Sequence, residues 1–250
     1  MAQSDEFKDY FSAHASSYAR HRPTYPPELF EHLASLTREH ELAWDCGTGN
    51  GQAALGLAPY FDCVIATDAS AEQIRNAFPH SKVSYRVARA ERSGIASRTV
   101  DLVTVAQALH WFDIPKFYQE AKRVLKPDGV LAVWSYALCR VEPRVDEILE
   151  SFYSGTIGPY WPKERKFVDD GYRSLAFPFD EIPMPRFEIK LDWALEDMLA
   201  YLRTWSPVRR YIERHGSDPV DLIASQLAEA WGDPFAVKTV TWPLYIKAGK

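Results

Sequence analysis

The sequence predicts an α/β fold in which helices cover both faces of a doubly wound, mostly parallel sheet. Two observations support this prediction. Over roughly the first half of the chain, short apolar and β-branched runs alternate with stretches of helical spacing. These runs are nearly continuous in apolar residues, as expected of parallel strands buried on both faces. The alternation implies right-handed strand–helix–strand units and a ligand site at the carboxyl ends of the strands.

Seven segments are predicted to be strands. Five lie in the alternating region, at 42–45, 63–68, 83–88, 101–108 and 130–136. Two more, at 187–193 and 237–247, alternate apolar with polar residues, which is typical of strands with one exposed face. We expect these two to return to the main sheet, the last of them antiparallel, with a bulge at Pro243 because proline lacks an N–H donor.

Helix signals separate and follow these strands. An amphipathic helix that starts at Pro26 or Pro27 precedes the first strand. Ser70 is predicted to cap the helix after the second strand. In the C-terminal half, residues 195–205 and 206–216 have helical spacing, and Gly216 is expected to end the second of these helices.

The elements fit one domain over residues 1–250, a length that a single core can serve. Within it we expect an N-terminal segment, 1–38, that covers a bound cofactor, and a cofactor-binding core, 41–136. A helical insertion at about 137–235 is expected to form a lid over the open end of the sheet and to carry substrate contacts.

Composition excludes several classes of protein. The net charge of −5 and the sequence pI of about 5.8 argue against a nucleic-acid partner. No apolar run approaches the roughly 18 residues needed to span a bilayer, and no signal peptide is visible. We therefore expect a cytoplasmic monomer or dimer with a small-molecule partner and no membrane partner.

Cysteine and histidine usage gives no sign of a metal site. Cys46, Cys63 and Cys139 are widely spaced and are expected to be reduced thiols, and the seven histidines show no metal-binding spacing. The cations around Arg165 alternate with acids and are expected to lie on a solvated surface. No metal cofactor is predicted.

A glycine-rich turn follows the first strand in the stretch DCGTGNG, residues 45–51. Its glycines let the backbone approach a ligand closely. Dinucleotide-binding turns need G-x-G-x-x-G, and here the third glycine comes one position early. Asp45 would also repel a pyrophosphate. The pattern D-x-G-x-G-x-G fits all fixed positions, and Asp68 at the end of the second strand can accept both hydroxyls of a ribose.

Together these features resemble the class I S-adenosylmethionine-dependent methyltransferases, whose fold is a Rossmann-like seven-stranded sheet. The stretches YARHRPTYP, AQALHWFD, LKPDGVLAVWSY and YLRTWS further resemble the type 11, trans-aconitate-methyltransferase-like subgroup. The resemblance implies S-adenosyl-L-methionine as the cofactor and S-adenosyl-L-homocysteine as the product.

The resemblance also implies which residues bind the cofactor. The turn contacts the methionine and ribose portions, the acid after the second strand holds the ribose, and the loop after the third strand borders the adenine. Many members have an aspartate where this chain has Arg89, so Glu91 is the substitute candidate for the adenine contact. The implied set is Asp45, Gly47, Thr48, Gly49, Gly51, Asp68, Ala69, Ala90 and Glu91.

Other candidates come from their positions along the chain. Gln107 ends the fourth strand and is a further cofactor contact; Tyr18 and Arg22 are expected to fold over the cofactor through cation–π contact and carboxylate pairing. His110 is the candidate general base. The candidate acceptor-binding residues are Trp111, Tyr136, Arg203 and Trp205.

The predicted activity is therefore in-line methyl transfer to a small molecule. A carboxylic acid is one candidate acceptor and would need no base, whereas a hydroxyl or amine would call on His110. Two alternatives stay open at this point: an NAD(P)-dependent oxidoreductase on a similar sheet, and a non-catalytic S-adenosylmethionine-binding protein.

Overall fold

The computed structural model describes residues 23–250. Its strands are β1 (Leu42–Cys46), β2 (Cys63–Asp68), β3 (Val83–Val87), β4 (Val100–Ala106), β5 (Leu125–Ser135), β6 (Glu181–Ile182), β7 (Glu188–Trp193), β8 (Lys238–Pro243) and β9 (Tyr245–Gly249). The five predicted strands of the alternating region all form. The predicted run at 130–136 is the second half of a longer strand, β5.

The α-helices within the described range are α1 (Pro27–Ser35), α2 (Gln52–Leu57), α3 (Ala71–Arg75), α4 (Ile114–Val124), α5 (Pro143–Ser151), α6 (Arg165–Asp169), α7 (Leu195–Arg203), α8 (Ser206–His215) and α9 (Asp221–Trp231). Ser70 caps α3 by accepting the N–H of Gln73, and Gly216 ends α8 in the left-handed conformation, as predicted.

The main sheet has seven strands in the order β3-β2-β1-β4-β5-β9-β6. Strands β1 to β5 pair in parallel, whereas β9 runs antiparallel to both of its neighbours. The chain order reverses between β1 and β4, so the ends of these two strands form the crevice in which open α/β sheets bind ligands. The predicted fold class is confirmed.

The strand predicted at 187–193 does not join this sheet. It forms β7, which pairs only with β8 in a separate two-stranded antiparallel sheet. Its buried face, which includes Ile189 and Trp193, packs with the core residues of the C-terminal helices. The seventh strand of the main sheet is instead the two-residue β6, which is too short to show any alternating pattern.

Residues 237–247 form two strands rather than one with a bulge. Strand β8 ends at Pro243, Leu244 breaks the ladder, and β9 continues from Tyr245 into the main sheet. Proline has no N–H to donate, so it suits the end of a strand. The C-terminal segment therefore joins the small sheet to the main sheet, and its last part is antiparallel as predicted.

Two apolar clusters cover the faces of the main sheet. One joins Leu29 of α1, Leu57 of α2 and Trp134 of β5 to the C-terminal helices. The other lies around Trp44 of β1 and Phe117 of α4. All five of these side chains are fully buried or nearly so. This double cover explains why the central strands are apolar along both faces.

Gly47 sits where the chain leaves β1 and has no space for a side chain. Its φ of +70° is in the left-handed region, and a Cβ built on it would come 2.6 Å from the Cβ of Ala108. Its N–H donates to the Thr67 carbonyl at 2.8 Å, which holds the turn against β2. Glycine is therefore required here for both conformation and space.

We expect Gly47→Ala to destabilise the fold by about 2–4 kcal/mol, since it adds a clash with Ala108 to left-handed backbone strain. Gly94→Ala is the matched control. Gly94 has a similar φ of +73°, but a Cβ added there would have nothing within 4 Å of it, so only about 1–2 kcal/mol should be lost. Urea unfolding of both variants measures the difference, and equal losses would show that the contact with Ala108 is relaxed at no cost.

Candidate active site

A cavity of about 840 Å³ opens at the carboxyl ends of the parallel strands. This volume is within the range of small-molecule and cofactor sites. One end is lined by the glycine turn after β1, by the end of β2 and by the loop after β3. The other end is lined by aromatic side chains of the segment after β4 and of the helical region that follows β5.

Asp45 organises the first end without lining the cavity. It is completely buried at the end of β1. Its carboxylate accepts the hydroxyl of Thr48 at 2.5 Å and the hydroxyl of Thr104 at 2.9 Å. Thr104 is the residue opposite Asp45 in the β1–β4 register, so the bond to it follows directly from the sheet pairing.

Burial raises the pKa of Asp45 to about 6, although the two threonine hydroxyls and the Ala54 N–H favour the ionised form. The carboxylate is therefore mostly ionised at pH 7 and holds three donors from three different elements. Asp45 is thus a positioning residue for the turn, while the turn itself faces the cavity.

The other two glycines of the turn, Gly49 and Gly51, differ in what a side chain would meet at each position. Gly49 has a φ of +56° and lines the cavity, and a Cβ there would meet no atom closer than Gln73 Oε1 at 3.9 Å. Gly51 does not line the cavity; a Cβ on it would overlap the phenol of Tyr85. The D-x-G-x-G-x-G pattern therefore combines two glycines that line the cavity, Gly47 and Gly49, with Gly51 behind them; a Cβ at Gly47 or Gly51 would meet a neighbouring side chain.

Asp68 ends β2 with its carboxylate at the cavity. Oδ2 accepts the N–H of Gly49 at 2.9 Å, and Oδ1 accepts the N–H of Ser70 at 2.8 Å. These bonds fix the orientation of the carboxylate, while each oxygen has further lone-pair capacity for a ligand hydroxyl. Asn50 lies beside it with a buried Nδ2 that has no hydrogen-bond partner within residues 23–250.

Two neighbouring side chains close this end of the cavity. Glu91 accepts the backbone N–H of Asp113 at 2.8 Å, which ties the loop after β3 to the start of α4. Gln107 has a left-handed φ of +55° and donates its amide to the Tyr136 carbonyl at 2.7 Å. A left-handed non-glycine residue is uncommon and is often found at functional sites.

The other end of the cavity is aromatic and contains a guanidinium group. Arg165, the first residue of α6, stacks its guanidinium 4.4 Å from the ring centre of Trp161, and its Nε donates to the Tyr153 hydroxyl at 2.6 Å. Asp169 lies 3.2 Å from the same Nε. Neither Nη nitrogen has a hydrogen-bond partner among the described residues. Arg165 therefore belongs to the site, and its predicted surface location is wrong.

His110 stands between the two ends, on the short 3₁₀ turn (Leu109–Trp111) that follows β4. Its Nδ1 is 2.9 Å from the Tyr172 hydroxyl. Burial and the nearby positive charge of Arg165 lower the pKa of His110 to about 3. The imidazole is therefore neutral across the physiological range.

Most of the residues predicted to form the site line this one cavity: Gly47, Thr48, Gly49, Asp68, Ala69, Ala90, Glu91, Gln107, His110, Trp111, Tyr136 and Trp205. Asp45 and Gly51 lie behind the turn. Arg203 lies elsewhere, because its guanidinium pairs with Asp218 at 2.8 Å and with Asp221 at 2.9 Å. Tyr18 and Arg22 lie outside the described residues.

Sequence reasoning missed the residues of α6 and of the turns before it. Arg165, Tyr153 and Trp161 belong to no recognised motif, and they are separated from the glycine turn by about a hundred residues. The available signal was the run of aromatic residues from Tyr153 to Trp161 in an otherwise polar segment, because exposed loops rarely carry so many.

A doubly wound α/β sheet with a glycine turn and an oriented carboxylate at the carboxyl ends of its strands is typical of nucleoside-binding enzymes. Comparisons with known proteins identify the family. Residues 44–133 match the model of a methyltransferase domain. A methyltransferase-family protein of Dictyostelium discoideum is 37% identical over 98% of this chain and 96% of its own length. A solved methyltransferase-family structure from Anaeromyxobacter dehalogenans is 44% identical, covering 92% of this chain and 97% of its own, with a TM-score of 0.87.

A Saccharomyces cerevisiae protein described as a probable S-adenosylmethionine-dependent methyltransferase is 29% identical over 69% of this chain and 60% of its own length. The chain belongs to the class I S-adenosylmethionine-dependent methyltransferases with a type 11 domain. The protein is thus a methyltransferase, and the oxidoreductase and non-catalytic alternatives are set aside.

The cofactor of this family, S-adenosylmethionine, fits the residues present. Asp68 offers an oriented carboxylate to vicinal hydroxyls, and the buried Asn50 amide offers a donor that lacks a partner in the described part of the chain. The turn at Gly49 leaves its backbone open to a ligand. A polar end for a nucleoside and an amino acid is therefore built into the cavity.

Residues 23–250 contain no helix that is long and apolar enough to cross a membrane. Over the same range, no group of three or more histidine, cysteine, aspartate or glutamate side chains is placed to hold a metal ion.

Asp45 should make stability depend on pH in an unusual direction. A carboxyl whose pKa is raised from 3.8 to about 6 on folding stabilises the fold below pH 4 and loses that contribution as the pH rises through 6. Relative to Asp45→Asn, the wild-type protein should therefore lose about 2 kcal/mol of unfolding free energy between pH 4 and pH 7. Denaturant titrations of both proteins across this range measure it, and a constant difference would contradict the assignment.

Proposed function

We propose that the protein transfers the methyl group of S-adenosylmethionine to a small acceptor that carries a carboxylate. The choice of a carboxylate acceptor rests on one observation, the Arg165 guanidinium in the aromatic end of the cavity. Both of its Nη nitrogens lack a hydrogen-bond partner within the described chain. The nucleoside end of the same cavity supplies the cofactor site.

The charge of Arg165 is only partly compensated. Asp169 is its one carboxylate partner in residues 23–250, through Nε, and the same Asp169 oxygen accepts the Tyr153 hydroxyl at 2.5 Å. The two Nη nitrogens of the guanidinium are available to donate to a ligand. A planar guanidinium is suited to a carboxylate because it can donate two parallel hydrogen bonds.

The walls around Arg165 favour an acceptor with an apolar or aromatic body. Trp161, Tyr153, Trp205 and Tyr201 line this end and contact one another, with ring centres 4.9 Å apart for the first pair and 5.5 Å for the last. Such a wall excludes water and strengthens the attraction between Arg165 and an anion.

Bound S-adenosylmethionine supplies a methyl group that is already activated by a positively charged sulfur. What this chain must contribute is alignment. Asp68 and the turn at Gly49 are placed to hold the nucleoside end, while Arg165 and the aromatic wall are placed to orient the acceptor. Positioning of this kind can contribute effective molarities of about 10⁵ M or more.

A carboxylate acceptor explains why the site needs no strong base. Carboxylates are ionised at neutral pH, so no proton has to be removed before transfer. His110, whose pKa is lowered to about 3, is a weak base. A hydroxyl or amine acceptor would call for a stronger base than His110. The cytoplasmic location, the monomeric or dimeric state and the absence of a nucleic-acid partner stay predictions from composition.

Asp68→Ala should weaken S-adenosylhomocysteine binding by about 10-fold to 100-fold, because a charged acceptor of hydroxyl hydrogen bonds is lost. Asp62→Ala is the control: Asp62 is exposed just before β2, at the far end of the strand from the cavity. Calorimetric titration of both variants measures the change. Unchanged affinity in Asp68→Ala would mean that another group holds the ribose.

Arg165→Gln should raise KM for a carboxylic-acid acceptor by about 10-fold to 100-fold and leave S-adenosylhomocysteine affinity within twofold, because only the anion partner is lost. Arg203→Gln removes a surface-paired arginine and serves as the control. Acceptors are found by incubating labelled methyl donor with panels of small carboxylic acids, phenols and amines. Methylation of phenols or amines with no turnover of any carboxylic acid would overturn the proposed acceptor class.

A further inference from the structure

The imidazole of His110 has a buried partner that the activity described so far does not use. Tyr172 lies just after α6, is about 1% exposed, and places its hydroxyl 2.9 Å from Nδ1 of His110. Its backbone is left-handed, with a φ of +59°. Left-handed aromatic residues are rare, and they persist where the surrounding structure holds them in place.

The end of α6 explains how this conformation is held. Gly171 donates its N–H to the Val168 carbonyl at 3.0 Å, and Tyr172 donates its N–H to the Phe167 carbonyl at 2.8 Å. This pair of bonds is a Schellman motif whose left-handed residue is Gly171, with a φ of +64°. Tyr172 follows it, and the bond from its N–H to Phe167 fixes the backbone of Tyr172 against the end of the helix. The same short helix starts with Arg165, so one element supplies both the cation of the site and the partner of His110.

The direction of the Tyr172–His110 hydrogen bond follows from counting donors and acceptors. A neutral phenol has one proton to donate, and burial keeps Tyr172 neutral by raising its pKa well above the usual range. Within residues 23–250 the backbone N–H groups of Leu109 and His110 can donate to this oxygen, and the one acceptor that contacts the hydroxyl is Nδ1 of His110. If Nδ1 carried the proton, the buried phenol proton would have no acceptor, which is costly.

We propose that Tyr172 is a positioning residue that holds His110 in the tautomer with its proton on Nε2. His110 then presents an N–H donor to the cavity and donates a hydrogen bond to an oxygen of the bound acceptor. This role rests on the proposed function, since it uses an anionic acceptor. It replaces the general-base role predicted from the sequence.

The surroundings of the ring agree with a donor role. Tyr172 hydrogen-bonds the ring and Arg165 is the nearby positive charge, while the same cavity is also lined by acidic groups that include Glu164, Glu91 and Asp113. Arg165 disfavours a second positive charge on the imidazole, so the ring stays neutral with one donor nitrogen. Nε2 has no hydrogen-bond partner among the described residues. An anion bound at Arg165 would meet a second donor there.

The first test reads the tautomer directly and needs no substrate. Histidine ring ¹⁵N NMR of the wild-type protein with S-adenosylhomocysteine bound should show an unprotonated Nδ1 and a protonated Nε2 for His110, assigned by its loss in His110→Gln. In Tyr172→Phe this preference should weaken or reverse. A protonated Nδ1 in the wild-type protein would overturn the inference, whatever the acceptor proves to be.

The second test compares two replacements of His110 that separate donation from proton removal. Glutamine keeps an N–H donor and cannot act as a base, whereas glutamate is a base that repels a carboxylate. With a carboxylic-acid acceptor, kcat/KM of His110→Gln should exceed that of His110→Glu by about tenfold or more, and neither profile should show a base ionisation near neutral pH. Equal values, or a more active glutamate variant, would overturn the donor role.

These outcomes separate the two proposals. If the protein methylates only phenols or amines, the proposed acceptor class fails while the NMR experiment still decides the tautomer. If carboxylic acids are methylated and Nδ1 of His110 is protonated, the acceptor class stands and the role of Tyr172 fails.

Discussion

The structure depends on one buried carboxylate at the end of β1. Asp45 accepts the hydroxyls of Thr48 and Thr104 and the N–H of Ala54, so it ties the glycine turn to the neighbouring strand and to the following helix. Burying a charge is costly unless it is paired or fully hydrogen-bonded. The three donors offset part of this cost, although burial still raises the pKa of Asp45 to about 6. The turn that they hold donates the Gly49 N–H to Asp68.

The sheet supplies the site because parallel strands end together. The ends of β1, β2, β4 and β5 lie along one edge, and the chain order reverses between β1 and β4. Residues that leave these strands therefore meet in one cavity although they are far apart in sequence. Two left-handed non-glycine residues, Gln107 and Tyr172, contact or border this cavity. Both are held by hydrogen bonds from elsewhere in the fold, which is how strain is retained at functional sites.

Much of the fold was predictable, for identifiable reasons. Strands β1, β2, β4 and β5 are largely buried on both faces, so their apolar composition alone reveals them. Ser70 and Gly216 are local capping signals that act without the rest of the chain. The pairing of β7 was not predictable, because an alternating strand fits any sheet that offers one apolar face. Strand β6 has two residues and therefore no pattern. Arg203 was predicted in the site and Arg165 on the surface, whereas the structure has the reverse. A run of charges in the sequence does not reveal which cation faces the cavity.

By itself the sequence determined the doubly wound core, the glycine turn and the acid after β2, because each of these depends on local spacing and composition. The class of cofactor followed from the family resemblance that these features carry. Only the tertiary structure decided what surrounds the acceptor. The guanidinium of Arg165 and the Tyr172 hydroxyl come from α6 and the turn after it, and the aromatic wall is completed by residues of the turns before α6 and of the region around the end of α7. Their chemistry depends on spatial distances to His110 and the glycine turn, from which they are about forty or more positions away in the sequence. Burial and hydrogen-bond direction, which decide whether His110 donates or accepts, exist only once those segments are packed together.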